Sequence, residues 1–180
     1  MGVDFEQTMK AVADLLAGFG LDPNSLELQG TPERVASFWA ERLNGYDCNL
    51  ESEITPLVGD IHPCPVIVEN VPFASTCEHH LAPFSGNVTL GYLPGEGGVV
   101  GLSKLIRVVH AFANRLQVQE RMTWQIFEII ETRLRPTAWG VKVVAEHTCI
   151  AHRGIKAPNV PVTTILLGGT WKRDAPKAFQ

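Results

Sequence analysis

The stretch Val66-Ile-Val-Glu-Asn-Val-Pro-Phe-Ala-Ser-Thr-Cys-Glu-His-His80 runs from a predicted β-strand into a cluster of potential metal ligands. Apolar side chains that alternate from Val88 to Tyr92 predict the next strand. The element Cys77-Glu-His-His80 is therefore predicted to lie in the loop between two strands. A further candidate ligand, Cys149, lies much later in the chain, so the fold rather than a local finger loop would form the site.

The candidate ligands suggest an open zinc site, because they are two cysteines and one histidine: Cys77, Cys149 and His80. Structural zinc sites usually have four protein ligands, whereas catalytic sites have three and keep the fourth position for water or substrate. The zinc-deaminase pattern and the His-Glu-x-x-His helix of metalloproteases are absent from the sequence. A closed structural site with two histidines stays open as an alternative. Its second histidine would be one of His79, His147 and His152.

Length and composition indicate one domain over residues 1–180, because a chain of 180 residues with 45% hydrophobic content can bury a single substantial core. A net charge of -4 and a pI near 5.8 provide no basic surface for nucleic acid. No apolar run reaches the length of a membrane span. We expect a cytoplasmic protein that binds neither nucleic acid nor membrane. In that reducing compartment metal binding is a more plausible use of Cys77 and Cys149 than disulfides.

Residues 1–60 are predicted to form an N-terminal helical segment. Apolar side chains spaced three and four apart from Phe5 to Phe19 predict a first helix that ends near Gly18. Thr31 is predicted as the N-cap of a second helix, with Pro32 in its first turn and an end at Asn44-Gly45. Residues 46–64 are predicted to be a connecting loop.

Residues 61–180 are predicted to form an α+β core in the order strand, strand, helix, helix, strand, strand. Helical spacing extends from Leu102 to Leu116 and from Met122 to Leu134, where Pro136 closes the second helix. Alternation around Trp139–Ala145 and the run Val160–Leu167 predict the last two strands.

Five motifs in one order give the chain a resemblance to the GTP cyclohydrolase I family. They are Gly30-Thr-Pro-Glu-Arg-Val-Ala36, Ser75-Thr-Cys-Glu-His-His80, Gly101-Leu-Ser-Lys-Leu105, Arg115-Leu-Gln-Val-Gln-Glu-Arg121 and His147-Thr-Cys-Ile-Ala-His-Arg-Gly154. The resemblance implies the tunnelling fold, a ring-shaped homodecamer of two stacked pentamers, and active sites between neighbouring subunits. It also implies conversion of GTP and water to 7,8-dihydroneopterin triphosphate and formate, the first step of tetrahydrofolate and pterin biosynthesis.

The chemistry of that reaction suits a zinc ion with histidines beside it. Opening the purine at C8 requires hydration of an unreactive C=N bond, and Zn2+ can supply hydroxide near neutral pH. Histidine suits the proton transfers that follow, and the resemblance assigns them to His79 and His147. His147 precedes Cys149 by two residues, so on an extended strand both would point to one side. Support of the metal is the alternative role of both histidines.

Glu120 resembles the family's guanine anchor, and Gln119 would assist it through its backbone or side chain. An ionised carboxylate only accepts hydrogen bonds, which suits the N–H donors of guanine. Adenine would leave such a carboxylate unpaired. Without the motif, Glu120 would be interpreted as a solvated glutamate at the start of a helix.

Basic residues near the motifs are candidates for the triphosphate. Lys104 and Arg107 are three apart on a predicted helix, and Ser103 lies near its start, where backbone N–H groups favour phosphate. Arg153 could add a bidentate contact. The family resemblance alone implies that Arg34 of another subunit also contacts the triphosphate. Taken singly, each of these side chains would be interpreted as a solvated surface group.

Two other functions stay open at this point. A related hydrolase could open the imidazole ring of GTP and stop at a formamide product. A noncatalytic, zinc-stabilised oligomeric binding protein is the alternative from a different class, and four protein ligands on the metal would favour it.

Overall fold

The computed structural model of the protein describes residues 2–57 and 62–180. Its longer helices are α1 (Phe5–Gly18), α2 (Thr31–Arg42), α4 (Leu102–Ala113) and α5 (Gln119–Leu134), and one-turn helices are α3 (Leu50–Glu53) and α6 (Thr148–Ala151). The strands are β1 (Val66–Cys77), β2 (Ala82–Leu93), β3 (Leu116–Gln117), β4 (Ala138–His147) and β5 (Val162–Gly169). The predicted order of elements in an α+β fold is confirmed, with the short β3, α3 and α6 in addition.

The N-terminal hairpin of α1 and α2 begins with a side-chain cap. The Asp4 carboxylate accepts a hydrogen bond of 2.9 Å from the Gln7 N–H, and α1 ends at Gly18, as its sequence predicted. The prediction that Thr31 is the N-cap of α2 is wrong, because Gly30 holds that position. Gly30 has φ 73°, a left-handed conformation that glycine adopts without steric cost. Thr31 is the first residue of α2.

The predicted connecting loop 46–64 contains more order than expected. The Asn49 side chain accepts a hydrogen bond from the Ser52 N–H and starts the single turn of α3. Leu57 forms an isolated antiparallel bridge with Val99. The predicted boundary between residues 60 and 61 lies outside the described residues.

The sheet has the strand order β3-β1-β2-β4-β5. All pairs are antiparallel except β1 with β3, which pair in parallel through Thr76 and Cys77. The predicted first helix of the core ends at Ala113 rather than Leu116, because Leu116 joins this short strand. Helix α4 packs on β1, and α5 packs on β4 and β5. The buried side chains between helices and sheet form the main core, with Leu90, Leu105, Met122, Ile126 and Val141 among them.

Pairing between β1 and β2 sets the distance between the two ends of the sheet. The register begins with Val66 opposite Tyr92 and ends with Cys77 opposite Ala82. The buried Tyr92 hydroxyl accepts a hydrogen bond of 2.9 Å from the Val100 N–H, just before α4 begins. At about 3.3 Å per residue, the start of α4 is on the order of 30 Å from Cys77.

In the described residues, no helix combines the length and apolar character that a membrane crossing requires.

Candidate metal centre and active site

The structure brings the three predicted metal ligands together. Cys77 is the last residue of β1, His80 lies in the turn that follows, and Cys149 lies in α6. Their ligand atoms all lie within 4.8 Å of one another, and the Cys77 Sγ is 4.0 Å from the His80 Nδ1. Two sulfur atoms and one imidazole nitrogen at this spacing form a group able to bind a metal.

Backbone hydrogen bonds fix the turn that carries His80. The Glu78 N–H donates to the Gln117 carbonyl at 3.1 Å, and the His80 N–H donates to the Cys77 carbonyl at 3.4 Å. Leu81 closes the turn with φ 51°, a conformation that is uncommon outside glycine. The position of His80 is therefore set mainly by strand pairing at the end of β1.

Cys149 lies in a helical turn, not on the extended strand that the sequence suggested. The expectation that it continues an extended strand from His147 is wrong, because β4 ends at His147 and the helical turn α6 begins at Thr148. The Thr148 hydroxyl donates a hydrogen bond of 2.7 Å to the Pro83 carbonyl and ties α6 to β2. Strand pairing places His147 opposite Phe84, near the end of β2 that follows the His80 turn.

Burial raises the pKa of the Cys149 thiol, and the adjacent Cys77 adds to the rise. Without a cation, the protonated form of Cys149 is therefore favoured. A divalent cation binds thiolates and would displace this proton. Among the described residues, the group contains no fourth histidine, cysteine, aspartate or glutamate. Three protein ligands are the set found at open sites.

His147 is held from two sides next to the metal group. Its ring stacks on Phe84 with centroids 4.5 Å apart and an angle of 5° between the planes. Its Nε2 lies 2.8 Å from the Gln119 Oε1. The Gln119 Nε2 donates to the Val143 and Val162 carbonyls, at 3.3 and 3.0 Å, so the amide oxygen must be an acceptor. His147 therefore carries its proton on Nε2.

The state of His147 near neutral pH follows from this environment. Burial lowers the pKa of its imidazole, and the charge of Glu120 opposes part of that effect. The neutral form is favoured, with Nε2 protonated and Nδ1 free of a proton. Such a ring can accept a proton at Nδ1 while Gln119 keeps its orientation.

Gln119 and Glu120 start α5 and face different surroundings. The Gln119 side chain is 1% exposed, and all its hydrogen bonds stay within the chain. The Glu120 side chain is exposed in the first turn of the helix, near enough to His147 to affect its charge. The Gln119 side chain is therefore occupied within the chain and is not available to a ligand.

His79 lies on the open side of the turn. Its side chain is 63% exposed, and its Nε2 is 3.8 Å from the Glu78 Oε1. Glu78 in turn forms a close ion pair with Arg121 on α5, which lowers the pKa of the Glu78 carboxyl. No local sequence pattern predicts the pairing of Glu78 with Arg121, because the two residues are far apart in the chain and meet where β3 pairs with β1.

Arg153 also lies at the metal group. Its Nη1 is 2.9 Å from the Nε2 of His80, so one predicted phosphate contact adjoins one predicted metal ligand.

The other predicted phosphate contacts are not brought to the metal group within one chain. Ser103, Lys104 and Arg107 lie in the first half of α4, at the opposite end of the sheet. There the Glu53 carboxylate lies 3.4 Å from the Lys104 Nζ and 3.7 Å from the Arg107 Nη1. Arg34 lies on α2, where it donates to the Gln29 carbonyl and the Thr31 hydroxyl.

Substitution of each predicted ligand tests the metal group. We expect Cys77→Ser, His80→Ala and Cys149→Ser to weaken Zn2+ binding by about 100-fold or more, since each leaves two protein ligands. Competition titration with a chromogenic chelator measures the affinity. Cys48→Ser and Cys64→Ser are matched controls because both thiols are exposed and outside the group. Wild-type affinity in any ligand variant would contradict the assignment.

Comparison with known proteins identifies the family to which the chain belongs. The family model described as GTP cyclohydrolase I matches residues 8–179. GTP cyclohydrolase 1 of Streptococcus agalactiae serotype V is 40% identical over 169 residues, which cover 94% of this chain and 90% of that protein. GTP cyclohydrolase 1 of Halalkalibacterium halodurans is 40% identical over 173 residues, covering 96% and 92%. A crystal structure of the archaeosine synthase QueF-Like in the apo form has a TM-score of 0.48 at 17% identity, covering 60% of this chain and 96% of that one. The family match over nearly all of the sequence shows that the chain belongs to the GTP cyclohydrolase I family.

Proposed function

We propose that this protein converts GTP and water to 7,8-dihydroneopterin triphosphate and formate at a zinc site formed by Cys77, His80 and Cys149. The observation that carries the proposal is the convergence of these ligand atoms within 4.8 Å, with His147 and the first turn of α5 beside them. Family membership supports the same activity, which supplies the pathway to tetrahydrofolate and pterins.

Zinc fits this group because its preferred ligands are thiolates and imidazoles in tetrahedral sites. When bound, Zn2+ lowers the pKa of water and supplies hydroxide for the hydration of C8. Cys77, His80 and Cys149 would hold it, and the absence of a fourth ligand in the described group leaves room for water.

His147 and His79 are proposed to move protons as the C–N bonds of the imidazole ring break. The Nδ1 of His147 can take up a proton and return it to a leaving nitrogen while Nε2–H stays bonded to Gln119. His79 is exposed and adjacent to His80, where it can exchange protons with solvent. Two histidines in different surroundings suit a reaction with several proton transfers.

Glu120 is proposed to bind the guanine base. Its side chain is exposed, and the carboxylate would accept hydrogen bonds from the ring N–H and the exocyclic amino group of guanine. The backbone N–H of Gln119 is also in the first turn of α5, where N–H groups have no partner within the helix. The first turn of α5 would therefore place the base next to His147.

A complete site is proposed to need more than one chain. Ser103, Lys104 and Arg107 lie at the end of the sheet opposite the metal group, too far for one bound GTP to reach both. A neighbouring subunit would bring its α4 to the metal end, and another would contribute Arg34. In the described chain, β5 pairs only with β4, so its outer edge is available to another strand. These features support the ring-shaped homodecamer of two pentamers, in which residues 1–180 act as one unit.

Product identification tests the proposed reaction. We expect the zinc-loaded protein to turn GTP into a product with the mass of 7,8-dihydroneopterin triphosphate, together with one equivalent of formate. After oxidation, this product should show the fluorescence of a pterin. Chelation of zinc and the Cys77→Ser variant should both abolish it. A formamide product that accumulates in the wild type, or no reaction with GTP, would contradict the proposal.

Glu53 provides a test of the proposed phosphate site. Its carboxylate competes with a triphosphate for Lys104 and Arg107. Partly exposed ion pairs contribute about 0.2–1 kcal/mol, so Glu53→Gln should lower the KM for GTP by about 1.5- to 5-fold, with kcat unchanged. Steady-state kinetics at low ionic strength measure both constants.

Glu51→Gln is the matched control for this change. Glu51 lies on the same helical turn and loses the same charge, but its side chain forms no ion pair with Lys104 or Arg107. An equal fall in KM for both variants would indicate a general charge effect and contradict a specific role of Glu53.

A further inference from the structure

The first turn of α5 contacts the surroundings of both predicted proton-transfer histidines. Gln119 bonds to His147, and two residues later Arg121 bonds to Glu78, the neighbour of His79. Glu120, the predicted guanine anchor, lies between Gln119 and Arg121 in the sequence and is exposed. One turn of helix thus connects the proposed base-binding group to the two histidines.

Arg121 is fixed from the protein interior. Its Nε donates to the Gln117 Oε1 at 3.2 Å. The Gln117 side chain is 1% exposed, and its Nε2 donates to the Phe112 carbonyl at 3.0 Å and to the Gln125 Oε1 at 2.8 Å. The guanidinium is therefore held in one orientation by a buried amide, and both its terminal nitrogens face the Glu78 carboxylate.

His79 has little else to orient it. Its side chain is 63% exposed, and its closest polar contact in the described chain is the Glu78 Oε1 at 3.8 Å. Its ring lies at right angles to that of His80, with centroids 6.4 Å apart. An exposed imidazole with so few contacts can rotate between several side-chain conformations unless Glu78 restricts it.

We propose that Arg121 is a positioning residue for His79 and acts through Glu78. The inference rests on the proposed function, because it assumes that His79 moves protons in the reaction. Arg121 would fix the Glu78 carboxylate, and Glu78 would hold the His79 ring at a set distance from the base bound at Glu120. Misplacement of a reacting group by about 1 Å can reduce turnover by about 100-fold.

The metal group is held independently of this ion pair. The turn after β1 is closed by backbone hydrogen bonds from Glu78 to Gln117 and from His80 to Cys77, and neither needs the Arg121 side chain. Glu78 is not part of the ligand group. Loss of Arg121 should therefore reduce turnover without loss of zinc.

Kinetics and zinc content of substituted proteins test the proposal. For Arg121→Met and Glu78→Gln, we expect kcat to fall about 10- to 100-fold, while the KM for GTP and the zinc occupancy stay within about two-fold of the wild type. Arg121→Lys keeps the charge but loses the two-pronged contact, so its kcat should lie between those of Arg121→Met and the wild type. The double variant should be no slower than the slower single variant, because both changes break one connection.

Arg135→Met is the matched control. Arg135 follows the other end of α5, is exposed, and pairs only loosely with Glu96 at 3.9 Å. Its kcat should equal that of the wild type. Unchanged kcat in Arg121→Met, additive losses in the double variant, or zinc loss parallel to the loss of kcat would each overturn the proposal. A wild-type protein that makes no dihydroneopterin triphosphate would instead refute the proposed function, a result that the same assay distinguishes.

Discussion

Antiparallel pairing between β1 and β2 is the constraint on which the rest of the structure depends. The ladder from Val66 opposite Tyr92 to Cys77 opposite Ala82 sets the distance between the two ends of the fold. At one end it presents the turn with the metal ligands. At the other end, the Tyr92 hydroxyl accepts a hydrogen bond from the Val100 N–H and so fixes the start of α4. Helix α4 carries the basic side chains of Lys104 and Arg107. A rigid sheet of this length keeps the proposed metal group and the proposed phosphate-binding residues apart within a chain.

Buried amides provide a second level of organisation around the metal group. Gln117 and Gln119 are both 1% exposed, and each uses its amide to orient a side chain nearer the surface. Gln119 sets the proton position of His147, and Gln117 sets the guanidinium of Arg121. Buried polar groups that are fully bonded give a defined geometry, since any other arrangement would leave a donor or acceptor unpaired.

Much of this organisation could be predicted from the sequence, because local patterns determine it. Apolar spacing, proline and glycine located the four longer helices and the four longer strands, but not β3. The types and order of the ligands indicated the metal group. Local sequence rules predicted the wrong N-cap for α2. They indicated Thr31, but Gly30, in a left-handed backbone conformation, holds that position. They also missed α6, whose single turn is too short for a periodic pattern. The cytoplasmic location and the single-domain interpretation stay predictions.

Contacts between distant residues were beyond sequence reasoning. The pairing of Glu78 with Arg121 and of Glu53 with Lys104 depends on strand register and on helix packing, which no local motif specifies. The buried role of Gln119 likewise depends on its distance from β4 and β5. Resemblance marked Gln119 as part of the site, and only the fold distinguishes a side chain that holds His147 from one that faces a ligand.

Complementation between inactive chains tests most directly the claim that the sheet separates two half-sites. Cys77→Ser lacks the metal half, and the Lys104→Ala, Arg107→Ala double variant lacks the phosphate half. Each should be inactive alone. If one site combines the metal end of one subunit with α4 of another, random co-assembly of equal amounts should leave about one quarter of the sites intact, so activity should recover to about one quarter of the wild type. No recovery in mixed oligomers, verified by mass spectrometry, would contradict the account.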